Sequence, residues 1–220
     1  MPQYKLPYSD IKKRVDAIIG EGAQVVLGNM AAQGIISPTN TIIQGDTVPP
    51  TLDSPPQYDR NISFNNTIKN TYIPKLNNIQ GYSKGLKLLA TVMTYQEGFY
   101  PSSLSYRTNN PGNIGNTGIS TKTYPTLDKG IQAQLQLLKS VSNGSERNYS
   151  LNTVKQLPPS SPYPGYKFTY TGKIKQFVKI YAAGARSSNS YITLIVSYFH
   201  QKGYTWVTED TTLQQLAAIN

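Results

Sequence analysis

Apolar residues recur along the second half of the chain at the spacing of helices. Groups three or four positions apart predict five helices, around Leu86, Leu89 and Met93; Ile131, Leu135 and Leu138; Ile174, Phe177, Val178 and Tyr181; Ile192, Ile195, Val196 and Phe199; and Leu213, Leu216 and Ala217. The Pro-rich stretch at residues 158–165 is interpreted as a loop at the rim of the same domain, because the helices after it are too short to bury a core alone. The pattern predicts a compact, mainly α domain.

The N-terminal part has a different pattern. Residues 9–33 carry apolar side chains at helical spacing behind the cap residue Ser9, whereas residues 37–59 contain five prolines among Thr, Ser, Asn and Asp. We therefore predict an N-terminal helix followed by a Pro-rich strap. We place the domain boundary near residue 75, with residues 1–75 as a candidate docking segment and residues 76–220 as the main domain.

Composition narrows the choice of partners. With 21 Lys and Arg against 11 Asp and Glu, the formal charge of +10 favours polyanions, including nucleic acid, anionic membranes and the bacterial envelope. The basic residues are scattered, and the densest run, at residues 12–14, lies beside Asp10 and Asp16, as is typical of a solvated helix face. Nucleic-acid binding thus rests on charge alone and is not the expected function.

Several classes of site and segment are excluded. The chain has no Cys and a single histidine, His200, which excludes thiolate and His-cluster metal sites, and we expect no cofactor. No apolar run reaches the roughly 18 residues of a membrane span, and the N-terminus does not read as a signal peptide. A substrate outside the cytoplasm would therefore require another route of delivery.

One acidic residue, Glu97, stands out from the rest. Leu86, Leu89, Met93 and Glu97 follow at spacings of three, four and four, which places the carboxylate on the apolar face of its helix. Gly98 predicts the helix end, where the dipole and burial both raise the pKa of Glu97. A carboxylic acid protonated near neutral pH is what acid-catalysed glycoside cleavage requires. The alternative is a boundary glutamate paired with Arg or Lys.

Motifs around and after Glu97 resemble a known family. The first two blocks are Glu97-Gly98-Phe99-Tyr100 and Ser105-Tyr106-Arg107-Thr108-Asn109-Asn110-Pro111-Gly112-Asn113-Ile114. Two more are Tyr124 with Gly130-x-x-Ala133, and Tyr181-Ala182-Ala183 with Asn189-Ser190-Tyr191. In this order they resemble the lysozyme-like domain of phage virion-associated lysozymes and lytic transglycosylases. Thr108, Tyr124 and Ala183 depart from the family's Asn, Phe and Pro.

The resemblance implies a fold, a substrate and a set of site residues. The fold would be the mainly α, α+β lysozyme-like one, and Glu97 would be the catalytic acid acting on peptidoglycan. It implies substrate contacts from Tyr106, Arg107, Asn109, Asn110, Asn113 and Tyr181. Alternatives remain for several of them: the asparagines can simply hold their loop, Arg107 can form a structural salt bridge, and Tyr181 can be a core residue.

The number of carboxylates bears on the reaction. Hydrolysis ordinarily uses two, about 5 to 9 Å apart, and none neighbours Glu97 in the motifs, although Asp128 and Glu146 remain candidates. We therefore expect a lytic transglycosylase that cleaves the MurNAc-GlcNAc β-1,4 bond. A lysozyme-type hydrolase and a non-enzymatic virion or wall-binding protein are the alternatives.

The resemblance also implies a setting. The expected partners are peptidoglycan glycan strands and, through residues 1–75, other virion proteins of the tail or interior. We expect the protein to be virion-associated and to act in the periplasm and cell wall.

Overall fold

A computed structural model describes residues 58, 60–115, 121–159, 164–182 and 188–220. The helix predicted at residues 9–33 lies outside the described residues. So does the Pro-rich strap, apart from Tyr58.

The described part of the chain is mostly helical, which confirms the mainly α prediction. A π-helical turn, Ile68–Tyr72, runs into α1 (Ile73–Asn78) and is followed by α2 (Lys84–Gln96), α3 (Leu104–Arg107), α4 (Leu127–Ser142), α5 (Ile174–Tyr181), α6 (Ser188–Gln201) and α7 (Leu213–Ala217). A 3₁₀ turn at Arg147–Tyr149 precedes an antiparallel hairpin of β1 (Val154–Gln156) and β2 (Lys167–Thr169). None of the described helices is both long and apolar enough to cross a membrane.

Helix α2 packs against α4, α6 and α7 in the core. Its N-terminus is fixed by Ser83, whose side chain accepts a hydrogen bond from the Leu86 N–H. The residues of α2 that predicted it, Leu86, Leu89 and Met93, are all buried. The four other predicted groups also form helices, and most of their apolar side chains are buried.

The core begins earlier in the chain than expected. Ile62, Phe64, Ile68 and Tyr72 are buried in the same cluster as α2 and α4. The Tyr72 hydroxyl also donates a 2.8 Å hydrogen bond to Oε1 of buried Gln134. The boundary predicted near residue 75 instead falls inside α1. Asn, Ser, Thr and Lys separate these apolar residues, so the segment resembles the polar strap before it.

The loop after α3 lies in close contact with α4. This contact positions the Asn-Pro-Gly-Asn turn, which belongs to the predicted site. At Gly130, in the first turns of α4, a Cβ atom would stand 1.7 Å from the Asn109 carbonyl oxygen. Only glycine permits this approach. The Asn-Pro-Gly-Asn turn at residues 110–113 is thereby held against α4, where Gly112 lies next to the Gln134 side chain.

Candidate active site

Glu97 lies where α2 ends. Its N–H donates to the Met93 carbonyl, and Gly98, with a φ of +69°, turns the chain out of the helix. The Glu97 side chain borders a cavity of about 660 Å³. The lining also includes Gln96, Asn113, Lys122, Glu146, Asn148, Tyr149, Tyr181 and Tyr191.

Two neutral side chains hold the Glu97 carboxylate. Asn113 Nδ2 donates to Oε2 at 3.1 Å, and the Tyr191 hydroxyl donates to Oε1 at 3.4 Å. Burial raises the pKa of Glu97, and the two hydrogen bonds oppose this rise only in part. The ion pairs found among the described residues involve Lys75, Lys173 and Lys175, and none includes Glu97. The pairing with a basic residue considered from the sequence is therefore not seen.

Asn113 owes its position to Asn110. The Asn110 side chain is fully buried and bonded to its own loop, because its Nδ2 donates to Ile114 O, Thr121 Oγ1 and Lys122 O, and its Oδ1 accepts from the Ile114 N–H. The Asn113 N–H in turn donates to the Asn110 carbonyl at 2.9 Å. The predicted substrate contact from Asn110 is thus corrected: this residue holds the loop that carries Asn113.

Three other predicted contacts also lie outside the cavity lining. The ring of Tyr106 packs on Phe99, with centroids 5.2 Å apart. Asn109 Nδ2 donates to the Tyr124 carbonyl at 3.0 Å. Arg107 is exposed at the last position of α3. Asn109 and Tyr106 therefore serve the loop and its packing, and Arg107 does not hold Glu97.

Tyr181, one of the predicted substrate contacts, borders the cavity. Its hydroxyl donates to the Gly112 carbonyl and its ring packs on Phe177, so it braces the turn that presents Asn113. Burial and the nearby charge of Glu97 raise the pKa of Tyr181 well above its ordinary value. Its hydroxyl therefore stays protonated at neutral pH.

The cavity contains functional candidates that were not predicted as site residues. Tyr191, on α6, lies in the last motif block, so the resemblance carried a signal for it. Glu146 precedes the 3₁₀ turn and is placed by its N–H, which donates to the Ser140 carbonyl at 3.2 Å. No spacing in the sequence singles out Glu146 or Lys122.

Asp128, the other carboxylate considered from the sequence, lies elsewhere. It pairs with Lys75 at 2.7 Å and does not border the Glu97 cavity. The hydrogen bond from Lys75 lowers the pKa of Asp128. Within the described residues, no group of three or more His, Cys, Asp or Glu side chains could hold a metal ion.

Comparison of the chain with protein-family models, curated proteins and solved structures finds no match. Within this chain, residues from distant parts of the sequence converge on one cavity. Glu97, Asn113, Tyr181 and Tyr191 come from three separate motif blocks, and Tyr191 hydrogen-bonds Glu97 across 94 residues of sequence. Residues from separate motifs thus meet at one partly buried acid.

Proposed function

We propose that this protein is a peptidoglycan lytic transglycosylase that cleaves the MurNAc-GlcNAc β-1,4 bond with Glu97 as its general acid and base. The observation that carries the proposal is a partly buried carboxyl group in a cavity, held by two neutral donors, with a raised pKa. Such a group stays protonated at higher pH than an exposed glutamate and can protonate a glycosidic oxygen. A lysozyme-like identity for the mainly α fold is part of the same proposal.

The proposed reaction uses Glu97 twice. The protonated carboxyl gives its proton to the bridging oxygen, the bond from that oxygen to C1 of MurNAc breaks, and the GlcNAc product leaves with a free O4 hydroxyl. The Glu97 carboxylate then takes the proton of the MurNAc C6 hydroxyl as O6 bonds to C1. The product is a 1,6-anhydro sugar, Glu97 is protonated again, and no water is consumed.

Asn113 and Tyr191 suit both states of the acid. Their donors meet separate oxygens of Glu97, so they stabilise the carboxylate formed after the first proton transfer. Because neither carries a charge, they lower the pKa less than an arginine or lysine in ion-pair contact would. Glu97 can therefore return to its acid form in each cycle.

The rest of the cavity lining is suited to a sugar that carries an N-acetyl group. Its volume of about 660 Å³ is typical of small-ligand sites. The amide side chains of Gln96, Asn113 and Asn148 supply donors and acceptors for hydroxyl and N-acetyl groups, and Tyr149 and Tyr181 add aromatic surface. These features support a glycan strand as the substrate.

Glu146 favours a second candidate, a lysozyme-type hydrolase. This carboxylate borders the same cavity as Glu97, although it is distant from the motifs in sequence. In an inverting hydrolase a second carboxylate activates the attacking water, and in a retaining one it bonds to the sugar. Either role for Glu146 would give products with ordinary reducing ends.

The setting of the protein follows from the proposed substrate. Peptidoglycan would place its activity at the bacterial cell wall, and the resemblance adds a phage virion as the carrier, with residues 1–75 as the docking segment. A wall-binding or structural virion protein with no activity remains the non-enzymatic alternative.

Digestion of purified sacculi by the wild type, Glu97→Gln and Glu146→Gln, followed by mass spectrometry, tests these proposals. We expect 1,6-anhydro ends from the wild type and Glu146→Gln, and a loss of about 100- to 10,000-fold in rate from Glu97→Gln. Reducing ends, together with an inactive Glu146→Gln, would establish the hydrolase instead. Wild-type clearance by a folded Glu97→Gln would overturn Glu97 as the catalyst, and an absence of clearance by the wild type would leave the non-enzymatic alternative.

A further inference from the structure

Two adjoining cavities lie apart from the Glu97 cavity and share no lining residue with it. One of about 610 Å³ is bordered by α1, α2 and α6, and one of about 420 Å³ adjoins it. Both are lined by Ile73, Tyr198 and Lys202. We call this surface the lysine groove, after its four lysines Lys69, Lys84, Lys87 and Lys202.

The lysine groove carries positive charge without local compensation. No Asp or Glu occurs among the described residues that line either cavity. The ion pairs of the described residues involve other lysines, namely Lys75, Lys173 and Lys175. A recessed surface with several cations and no carboxylate attracts an anion that can meet several of them at once.

Contacts in or beside the groove hold three of its four lysines in place. Lys84 lies over the Tyr204 ring at 5.7 Å, Lys202 lies over Tyr198 at 5.3 Å, and Lys87 Nζ donates to the Asn77 carbonyl at 3.1 Å. Such contacts reduce the conformational entropy lost when a ligand binds these side chains. The groove is therefore partly organised for an anionic ligand.

Contacts between lysines and tyrosines at the groove disfavour nucleic acid as its ligand. Single-stranded nucleic acid is held largely by bases that stack on free aromatic rings. The two tyrosines that line the larger cavity, Tyr82 and Tyr198, already carry the ammonium groups of Lys139 and Lys202. A duplex is a stiff rod and cannot follow two joined recesses. A flexible chain of phosphates without bases matches the positive charge of the groove and needs neither a free aromatic ring nor a straight path.

We infer that the lysine groove binds a flexible phosphodiester polymer with small polyol repeats, of the glycerol phosphate type. Each phosphate can accept hydrogen bonds from a lysine, and the polyol between phosphates requires no aromatic ring. The inference stands on the groove and not on the chemistry of Glu97. Such a polymer would bind apart from the Glu97 cavity.

Titration with poly(glycerol phosphate), followed by calorimetry, tests this inference. The variant K84Q/K87Q/K202Q should bind at least about tenfold more weakly than the wild type, because three phosphate contacts are lost. The control K129Q/K167Q/K179Q removes the same charge outside the groove and should stay within about threefold of the wild type. Glu97→Gln should bind like the wild type, which separates this result from the test of catalysis.

Three outcomes would overturn the inference. They are undiminished binding by the groove variant, equal weakening by both triple variants, and tighter binding of oligothymidylate than of poly(glycerol phosphate). The second would reduce the effect to net charge, and the third would assign the groove to nucleic acid. Thermal unfolding verifies that both triple variants are folded, and Lys202→Gln alone, a change at an exposed position, gives a milder version of the same test.

Discussion

The Glu97 carboxylate accepts hydrogen bonds from two side chains that carry no charge. Burial raises its pKa, and the hydrogen bonds from Asn113 and Tyr191 lower it by a smaller amount. The acid form is the one that begins the proposed reaction. Activity is therefore expected to fall as the pH rises through the raised pKa of Glu97.

Removal of one donor should shift the pH above which activity is lost, which we call the alkaline limit. In Tyr191→Phe the carboxylate loses the bond to Oε1, so the pKa of Glu97 rises further and the activity persists to higher pH, even if the maximal rate is lower. Rates of sacculus clearance across pH measure this shift. Tyr170→Phe is the control, because the buried Tyr170 hydroxyl has no hydrogen-bond partner among the described residues. An unchanged alkaline limit in Tyr191→Phe would contradict the assignment.

The same burial should reduce stability at neutral pH. Native Glu97 has a raised pKa, so between its ordinary value of 4.5 and the raised value the native state binds more protons than the unfolded state, and stability falls as the pH rises. Glu97→Gln removes the ionised form and should have a higher Tm than the wild type at pH 7. The difference should shrink below about pH 4.5, where both states are protonated. An equal or lower Tm at pH 7 would count against a buried carboxylate.

The sequence indicates which residues reach the cavity better than it indicates the hydrogen-bond partners of each residue. Glu97, Asn113 and Tyr181 line the cavity, and helix spacing and motif order single them out in the sequence. Asn110 and Asn113 cannot be distinguished in the sequence. The fold shows that the side-chain amide of Asn110 donates to Ile114, Thr121 and Lys122 within its own loop. Glu146 enters the cavity through a loop geometry that no periodicity encodes.

At the scale of elements, α4 and the Asn-Pro-Gly-Asn turn depend on one contact. Gly130→Ala would place a methyl group against the Asn109 carbonyl oxygen, so either the helix or the turn must move. We expect a loss of about 1–3 kcal/mol, the usual cost of overpacking, and a loss of activity as Asn113 shifts. Urea denaturation and sacculus clearance measure the two effects.

The control for this variant is Gln132→Ala, at an exposed position of the same helix. It should leave stability within about 0.5 kcal/mol and activity unchanged. If Gly130→Ala behaved in the same way, the close approach of α4 to Asn109 would be wrong.

Helices α2, α4, α5, α6 and α7 were predicted from the sequence, whereas α1, α3 and the hairpin were not. Each predicted helix has three or more apolar residues on one face, as with Leu86, Leu89 and Met93 in α2. The hairpin has strands of three residues and leaves Val154 exposed, so no alternation marks it. The segment before α1 was not predicted, because polar residues separate its apolar residues in the sequence. Ile68 and Tyr72 are nevertheless completely buried.

At the scale of the whole molecule, the hydrophobic core shows how far toward the N-terminus the domain extends, and two fragments can test this. A fragment of residues 60–220 keeps every residue of that core, whereas a fragment of residues 76–220 loses Ile62, Phe64, Ile68 and Tyr72. Each large buried side chain contributes about 2–5 kcal/mol, against a total stability of about 5–15 kcal/mol. The first fragment should unfold cooperatively in calorimetry, and the second should show no cooperative transition. Cooperative unfolding of both would restore the boundary near residue 75.

The contact between Gly130 and Asn109 has a consequence for inheritance. A lineage that changes Arg107 alters an exposed side chain, and much of the loop surface can drift with little penalty. Position 130 offers no comparable freedom, because every other amino acid adds a Cβ atom where the Asn109 oxygen lies. Among descendants of this chain that keep the fold, the glycine should persist even where Glu97 and the activity proposed for it have been lost.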